Sequence, residues 1–209
     1  MVDLKALAKE CGFTVAEDLD PKTLKFLPEV RDMCAADRCR HYNKSWACPP
    51  ACGTLEEWQE RASRYSKGVL MQTVGEVEDS FDIEGYMEIS KRSSESFEKF
   101  ADKLYEMKLD CLPMTVGGCN RCKQCTYPDA PCRFPDRRTS SMEACGLMVN
   151  QVCTDNGVPY NYGRNKMCYT SCLLYNESSK GVPPNGEKDH TDGRRYRHPA
   201  VGAGRGGRL

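Results

Sequence analysis

Residues 85–108 read GYMEISKRSSESFEKFADKLYEMK, and their apolar positions recur at spacings of three and four residues. Charged residues fill most of the other positions, so the pattern predicts a long amphipathic helix with one buried face. We expect the aromatic side chains of this face to pack in the core and not to form a cofactor site. The face consists of Tyr86, Ile89, Ser93, Phe97, Phe100, Leu104 and Met107.

Short apolar segments flank this helix on both sides. Residues 68–74 and residues 112–116 are each bounded by glycine and predict strands, and Pro113 makes the second an edge strand or a short one. Residues 167–175 predict a last strand. This order of elements predicts an α/β or α+β fold, with a small mixed sheet, flanking helices and cysteine-rich loops in the connections.

Two capping boxes mark further helix starts. Thr54 and Glu57 form the first, which predicts a helix running to about Tyr65. Ser140 and Glu143 form the second, so a helix is predicted to begin there as well.

The overall composition excludes several classes of protein. Hydrophobic residues make up 39%, charged residues 29%, and the net charge is zero, so nothing favours nucleic acid or an anionic membrane as a partner. No apolar run spans a bilayer and no signal peptide is recognisable, so a cytoplasmic location is expected. The last part of the chain is rich in Ser, Gly, Lys and Arg. We therefore predict one domain over residues 1–176 and a flexible polar Gly/Arg-rich tail over residues 177–209.

Cysteine is the unusual feature of this composition, with 14 in 209 residues. A reducing cytoplasm disfavours stable disulfides. The same density in a chain without a secretion signal indicates metal binding or thiol chemistry.

The strongest motif is a triplet of cysteines, Cys119, Cys122 and Cys125, followed by Cys132. Thiolates at three-residue steps can surround one small object from a single loop, and a 4Fe-4S cluster requires this because each thiolate binds a different iron. The first two spacings match the ferredoxin pattern Cys-x2-Cys-x2-Cys, but six residues in place of three separate the third cysteine from the fourth. Zinc, which takes four ligands around one ion, is the main alternative.

A second group of thiols comprises Cys34, Cys39 and Cys48, with Cys52 close by. Trp46 lies between these positions and could shield a metal from water. Without Cys52 the two groups hold seven cysteines, whereas two fully thiolate-ligated cubes need eight. Cys52 is the candidate eighth ligand. If it is not a ligand, one iron stays open to water, another side chain or a substrate.

The other cysteines are expected to be core or half-exposed thiols. They are Cys11, Cys111, Cys145, Cys153, Cys168 and Cys172. Four arginines near the triplet could offset the negative charge of a cluster, bind an acidic partner or simply face solvent. They are Arg121, Arg133, Arg137 and Arg138.

Taken in order, these motifs resemble the family known as domain of unknown function 2284, described as predicted metal-binding proteins. The motifs are the Cys34/Cys39 pair, SWACPP (45–50), GCNRCKQC (118–125), PCRFP (131–135) and SMEACGLMV (141–149). The resemblance covers residues 1–176 and implies metal binding, as iron–sulfur, in anaerobic bacteria or archaea. The family pattern has an aromatic residue where this chain has Cys145, which argues against that thiol as a ligand. The resemblance does not supply a reaction.

Three functions stay open at this point. The leading one is a protein with one or two iron–sulfur clusters that passes single electrons to a redox partner protein. Cys119, Cys122, Cys125 and Cys132 would hold one cluster, and the first group the other. The second is a redox enzyme with an open cluster iron at the first group. The third is a zinc-stabilised binding module without a redox role.

Overall fold

A four-stranded antiparallel sheet forms the centre of the molecule. The computed structural model of the chain describes residues 2–180. The strands lie in the order β1-β2-β4-β3, with β2 and β4 in the middle. Their bounds are β1 Val15–Leu19, β2 Lys67–Glu76, β3 Leu109–Met114 and β4 Lys166–Lys180. The fold is therefore α+β. The expected small sheet with flanking helices is confirmed, but a mixed sheet is wrong, because all of its strands pair antiparallel.

Five helices surround the sheet. They are α1 Leu4–Glu10, α2 Pro28–Ala35, α3 Leu55–Ser63, α4 Ile83–Glu106 and α5 Val149–Asp155. Two short 3-10 turns, Pro21–Thr23 and Pro135–Arg137, lie in the connections. No helix of residues 2–180 is long and apolar enough to cross a membrane.

Helix α4 packs with α1 on one face of the sheet. Phe97, Phe100 and Leu104 of α4 are buried against Met71 and Leu173 of the two central strands. Burial of each such side chain contributes roughly 1.5–3 kcal/mol of transfer free energy. The predicted face is therefore core from Ile89 to Leu104, whereas Met107 follows the end of α4 and is exposed.

Helices α3 and α5 cover the opposite face, together with the turns that precede α5. Trp58 and Val152 from these helices pack against Leu70 and Leu174 of the sheet. The cysteine-rich loops lie next to this second core. The core also contains four buried thiols, those of Cys52, Cys145, Cys153 and Cys172.

The two capping boxes had different outcomes. Thr54 and Glu57 make both reciprocal bonds of a capping box, and α3 begins directly after Thr54. The helix predicted to begin at the second box is wrong, because α5 begins only at Val149. The hydroxyl of Ser141 instead accepts from the amide of Ala144 in a turn, and Gly146 has φ +97, which no α-helix contains.

Two further predictions concerned the edge strand at Pro113 and the end of the domain. β3 is an edge strand, as Pro113 indicated. β4 runs to Lys180, past the predicted domain end at residue 176. The remainder of the predicted tail, residues 181–209, lies outside the described residues.

Candidate metal centre

The first thiol group lies at the end of α2 and in the turns that follow it. Cys34 is in the last turn of α2, and Cys39, Cys48 and Cys52 lie in the irregular segment 36–54 that leads to α3. Cys48 and Cys52 are buried, Cys34 is half-buried and Cys39 is exposed. The group therefore extends from the protein interior to the surface.

The sulfurs of this group influence one another electrostatically. Burial raises the pKa of Cys48 to about 12, and the nearby thiols of Cys52, Cys39 and Cys34 add to the rise. The pKa of Cys34 is raised by burial first, and then by Cys39 and the carboxyl of Glu143. The fold therefore brings together four thiols that sequence analysis placed in one group.

Polar contacts around Asp37 shape the segment that carries these thiols. Its carboxylate accepts from the amide of Tyr42 at 2.9 Å and pairs with Lys44, also at 2.9 Å. The amide of Asn43 donates to the carbonyl of Pro49 at 2.8 Å. These contacts close the segment into a compact loop without regular secondary structure.

The turn before α5 covers the inner side of this group. Cys34 Sγ contacts the carbonyl of Glu143 at 3.8 Å, and Cys52 Sγ contacts the carbonyl of Ala144 at 3.6 Å. The guanidinium of Arg31 donates to the carbonyls of Ala144 and Gly53 and to Cys52 Sγ. Arg31 was not among the residues predicted to belong to the site, although its position one helical turn before Cys34 placed it on the same face of α2.

The second thiol group lies in an irregular loop between β3 and the 3-10 turn at Pro135–Arg137. All four cysteines of this group are half-buried: Cys119, Cys122, Cys125 and Cys132. Burial alone would raise the pKa of Cys125. The backbone amides of Trp46, Tyr127 and Thr126 and the hydroxyl of Ser45 outweigh it, and the pKa is lowered. The surroundings of this sulfur therefore favour a thiolate.

The two cysteine loops are in direct contact. Trp46 from the first loop packs edge-on against Tyr127 of the second, with ring centroids 4.9 Å apart. The hydroxyl of Tyr127 donates to Asn43. The hydroxyl of Ser45 lowers the pKa of both Cys48 and Cys125, so it lies close to a thiol of each group. The two groups are therefore adjacent, a relationship that the spacing of cysteines within each motif did not predict.

The side chains are not closed around a single ion. Within residues 2–180, no three His, Cys, Asp or Glu side chains are placed to hold one metal ion. No disulfide joins any pair of the cysteines. The grouping of Cys119, Cys122 and Cys132 with Cys125 as ligands of one cluster stays a prediction.

The other cysteines lie where sequence analysis expected them. Cys11, Cys111, Cys145, Cys153 and Cys172 are buried. Cys168 is half-buried on β4, where its thiol contacts the hydroxyl of Thr170 at 3.6 Å.

Two of the four arginines near the second group contact side chains of α4. Arg121 pairs with Asp102 at 2.7 Å, and the guanidinium of Arg137 lies 4.2 Å from the ring centroid of Tyr105. Arg133 donates to the carbonyl of Gln124 within the second loop.

The fold and these sites define a cysteine-rich α+β protein with two adjoining thiol groups in the loops beside a small sheet. A family model described as "predicted metal-binding protein", domain of unknown function 2284, matches residues 17–175. The chain belongs to this family, and the resemblance seen in its motifs is confirmed. Comparison with curated proteins found no match, and comparison with solved structures found none either.

Proposed function

We propose that this metal-binding protein carries 4Fe-4S clusters on its two thiol groups and passes single electrons to a partner protein. Cys34, Cys39 and Cys48 would hold one cluster. Cys119, Cys122, Cys125 and Cys132 would hold the other. A cluster of this kind accepts and donates one electron at a potential set by its surroundings. The cytoplasm, where thiols stay reduced, would suit such ligands.

The placement of the thiols in the first group is the observation that carries this proposal. Four-coordinate zinc, with zinc–sulfur distances of about 2.3 Å, brings its sulfurs to about 3.8 Å from one another. The thiols of the first group affect each other's pKa, yet no three ligands within residues 2–180 are placed for one ion. In a 4Fe-4S cluster each thiolate binds a different iron, so the ligands need not converge on one point. Thiols that interact electrostatically without converging on one ion favour a cluster over zinc.

The contact between the two loops supports an electron-transfer role. Trp46 contacts Tyr127 and Ala130 of the second loop, and Ser45 lowers the pKa of one thiol in each group, so two clusters held there would be neighbours. Neighbouring centres allow an electron to enter at one and leave from the other. A binding module stabilised by zinc has no need of such proximity.

Hydrogen bonds to sulfur provide further support. The N–H groups around Cys125 and the guanidinium at Cys52 are donors aimed at sulfur. Such donors stabilise thiolates and adjust the potential of an iron–sulfur cluster. The same residues also help to exclude water, because Trp46 and Tyr127 cover the junction of the two loops.

Metal analysis tests the proposal directly. The full chain is purified without oxygen, and iron, acid-labile sulfide and zinc are quantified per chain. Two cubes predict about eight irons and about eight sulfides, and one cube predicts about four of each. Cys48→Ala and Cys122→Ala should each remove one cluster and leave the other. Stoichiometric zinc without iron would refute the proposal in favour of the binding module. A paramagnetic spectrum that changes on addition of a substrate would instead favour the enzyme.

A further inference from the structure

We infer that Arg31 is the counter-charge of the first metal centre and that Cys52, which it contacts, is the fourth thiolate ligand of that centre. The inference rests on the proposed function. With Cys52 added to the seven cysteines already assigned, two clusters would have the eight thiolates that they need. The first centre would then have no open iron.

Arg31 is held in a fixed orientation by two backbone carbonyls. It lies half-buried on α2, and its Nη2 donates to the carbonyl of Gly53 at 2.7 Å while Nη1 donates to the carbonyl of Ala144. The remaining contact of the guanidinium is with Cys52 Sγ, 3.5 Å from Nη1. The two carbonyls therefore fix the planar guanidinium in an orientation that directs an N–H group at Sγ of Cys52.

No carboxylate among residues 2–180 forms an ion pair with Arg31. Its charge does act on the exposed carboxylate of Glu56, which helps to lower the pKa of that group. Removing a cation from water is costly unless an anion accompanies it. A metal-bound thiolate at Cys52 would place an anion in contact with the guanidinium on its buried side.

A second N–H donor faces the same sulfur from α3. Burial raises the pKa of Cys52, and the charge of Arg31 and the indole of Trp58 partly offset that rise. The Nε1–H of Trp58 is nevertheless buried without a hydrogen-bond partner in the described part of the chain. Buried donors are almost always satisfied in folded proteins. A thiolate is a stronger acceptor than a thiol, so a charged Cys52 would satisfy this donor as well.

The position of Cys52 suits a fourth ligand. Only 2% of its surface is exposed, and it lies within electrostatic reach of both Cys34 and Cys48. Cys52 also follows Cys48 by one helical turn, and its amide donates to the carbonyl of Cys48 at 3.0 Å. The two sulfurs therefore lie on the same side of one turn.

The charge of Arg31 has a measurable consequence. Reduction adds a negative charge to a thiolate-ligated centre, and a nearby guanidinium stabilises that charge. Arg31→Gln should therefore lower the midpoint potential of the first centre, since glutamine is neutral. Arg31→Lys retains the charge but not the fork, and its potential should stay close to that of the wild type.

The test compares these variants in the full chain, loaded without oxygen and titrated while the paramagnetic spectrum is recorded. Arg61→Gln serves as a control, because Arg61 lies over the ring of Trp58 at 5.0 Å from its centroid. Its removal should produce a smaller shift. Equal shifts in Arg31→Gln and Arg31→Lys would show that Arg31 only ties loops together. An unchanged potential in Arg31→Gln would overturn the assignment.

Cys52 is tested separately by metal content. Cys52→Ala should lower the iron and sulfide per chain, whereas Cys145→Ala, which removes a buried thiol of the same core, should not. Iron content and spectrum unaffected by Cys52→Ala would overturn the assignment. Zinc without iron in the wild type would instead show that the proposed function has failed. In that event cobalt is substituted for zinc. A weaker thiolate-to-cobalt absorption in Cys52→Ala, but not in Cys145→Ala, would still identify Cys52 as a ligand, and equal absorption would exclude it.

Discussion

The indole Nε1 of Trp46 donates a hydrogen bond of 3.0 Å to the carbonyl of Ala130, 84 residues further along the chain. With the edge-on contact to Tyr127, this bond joins the two cysteine loops through a single side chain. Neither loop has regular secondary structure, so neither is held in place by the backbone hydrogen bonds of a helix or a sheet. The contact between the two loops takes over this role. The two candidate centres should therefore lose order together when this contact is removed.

The first prediction concerns this bond. Trp46→Phe keeps an aromatic ring but loses the N–H, so the apo protein should lose about 0.5–1.5 kcal/mol of unfolding free energy. Urea unfolding in reductant and chelator measures the change. Tyr169→Phe is the control, because its hydroxyl makes only a 3.5 Å contact with the carbonyl of Tyr86. Its effect should be within about 0.5 kcal/mol. Equal losses in the two variants would mean that the bond between the loops contributes nothing in solution.

The second prediction concerns the turn that covers the first thiol group. A Cβ at Gly146 would overlap Cδ2 of Leu55, and the residue has φ +97. Gly157 also has a positive φ, +69, but nothing lies within 4 Å of the added atom. Gly157→Ala should therefore cost about 1 kcal/mol, the backbone strain alone. Gly146→Ala should cost about 3 kcal/mol, because steric overlap adds to that strain.

Chemical denaturation of the two variants side by side provides the measurement. The midpoint should fall more in Gly146→Ala, with an unchanged dependence on denaturant concentration. Equal losses in the two variants would show that Leu55 moves aside freely. Metal binding should weaken only in Gly146→Ala, because its turn supplies the carbonyls of Glu143 and Ala144 that contact Cys34 and Cys52.

How far the sequence determined the fold depends on the length and periodicity of each element. The helix over residues 85–108 was predictable, since its apolar stripe repeats over six turns. Strand β1 was not predicted, because Glu17 and Asp18 interrupt a five-residue segment that lies at the edge of the sheet. The prediction of a helix at Ser140 and Glu143 failed because a serine hydroxyl can also close an isolated turn, as that of Ser141 does here.

The same limit applies to the candidate site. The spacing of cysteines within each motif indicated two thiol groups, because ligands in one loop are close whatever the fold. The contact of Ser45 with both Cys48 and Cys125 depends on how two distant loops pack. The position of Arg31 at the first thiol group could not be predicted from the sequence either, since an arginine on a helix is normally a solvent-exposed charge. Only the tertiary structure places its guanidinium against a buried sulfur.

The third prediction concerns the reactivity of the thiols in the metal-free protein. The thiolate is the nucleophile, so alkylation rates follow the pKa of each thiol. The pKa of Cys125 is lowered, because hydrogen bonds outweigh burial, whereas burial raises that of Cys48 to about 12. At pH 8 iodoacetamide should modify Cys125 faster than Cys48 by a factor on the order of a hundred or more.

Mass spectrometry of peptides after a short exposure measures these rates. Ser45→Ala is the informative variant, because the hydroxyl of Ser45 helps to lower the pKa of Cys125 and its loss should slow modification of that thiol. Thr14→Ala, whose hydroxyl bonds to the backbone of Val74 in β2, should leave the rate unchanged. Modification of Cys125 as slow as that of buried Cys11 would contradict the prediction.

The fourth prediction follows from burial of thiols in the folded state. Burial raises the pKa of Cys48 and of Cys111 to about 12 and that of Cys153 to about 11, from the ordinary value of 9.0. Between pH 9 and 11 the unfolded chain has therefore released protons that the folded protein keeps. The free energy of unfolding should be insensitive to these thiols below pH 9. Above it, stability should fall with rising pH, by up to about 1.4 kcal/mol per pH unit for each thiol.

Urea unfolding of the reduced, metal-free protein at several pH values between 8 and 11 measures this slope. Cys111→Ala should flatten it by up to about 1.4 kcal/mol per pH unit, since one such group is gone. Cys125 should have the opposite effect, because its lowered pKa stabilises the folded state as pH rises toward 9. Unchanged stability between pH 8 and pH 10 would contradict the prediction. It would mean that the thiols of the core reach water in the folded protein, and a core open to water could not shield a metal centre beside it.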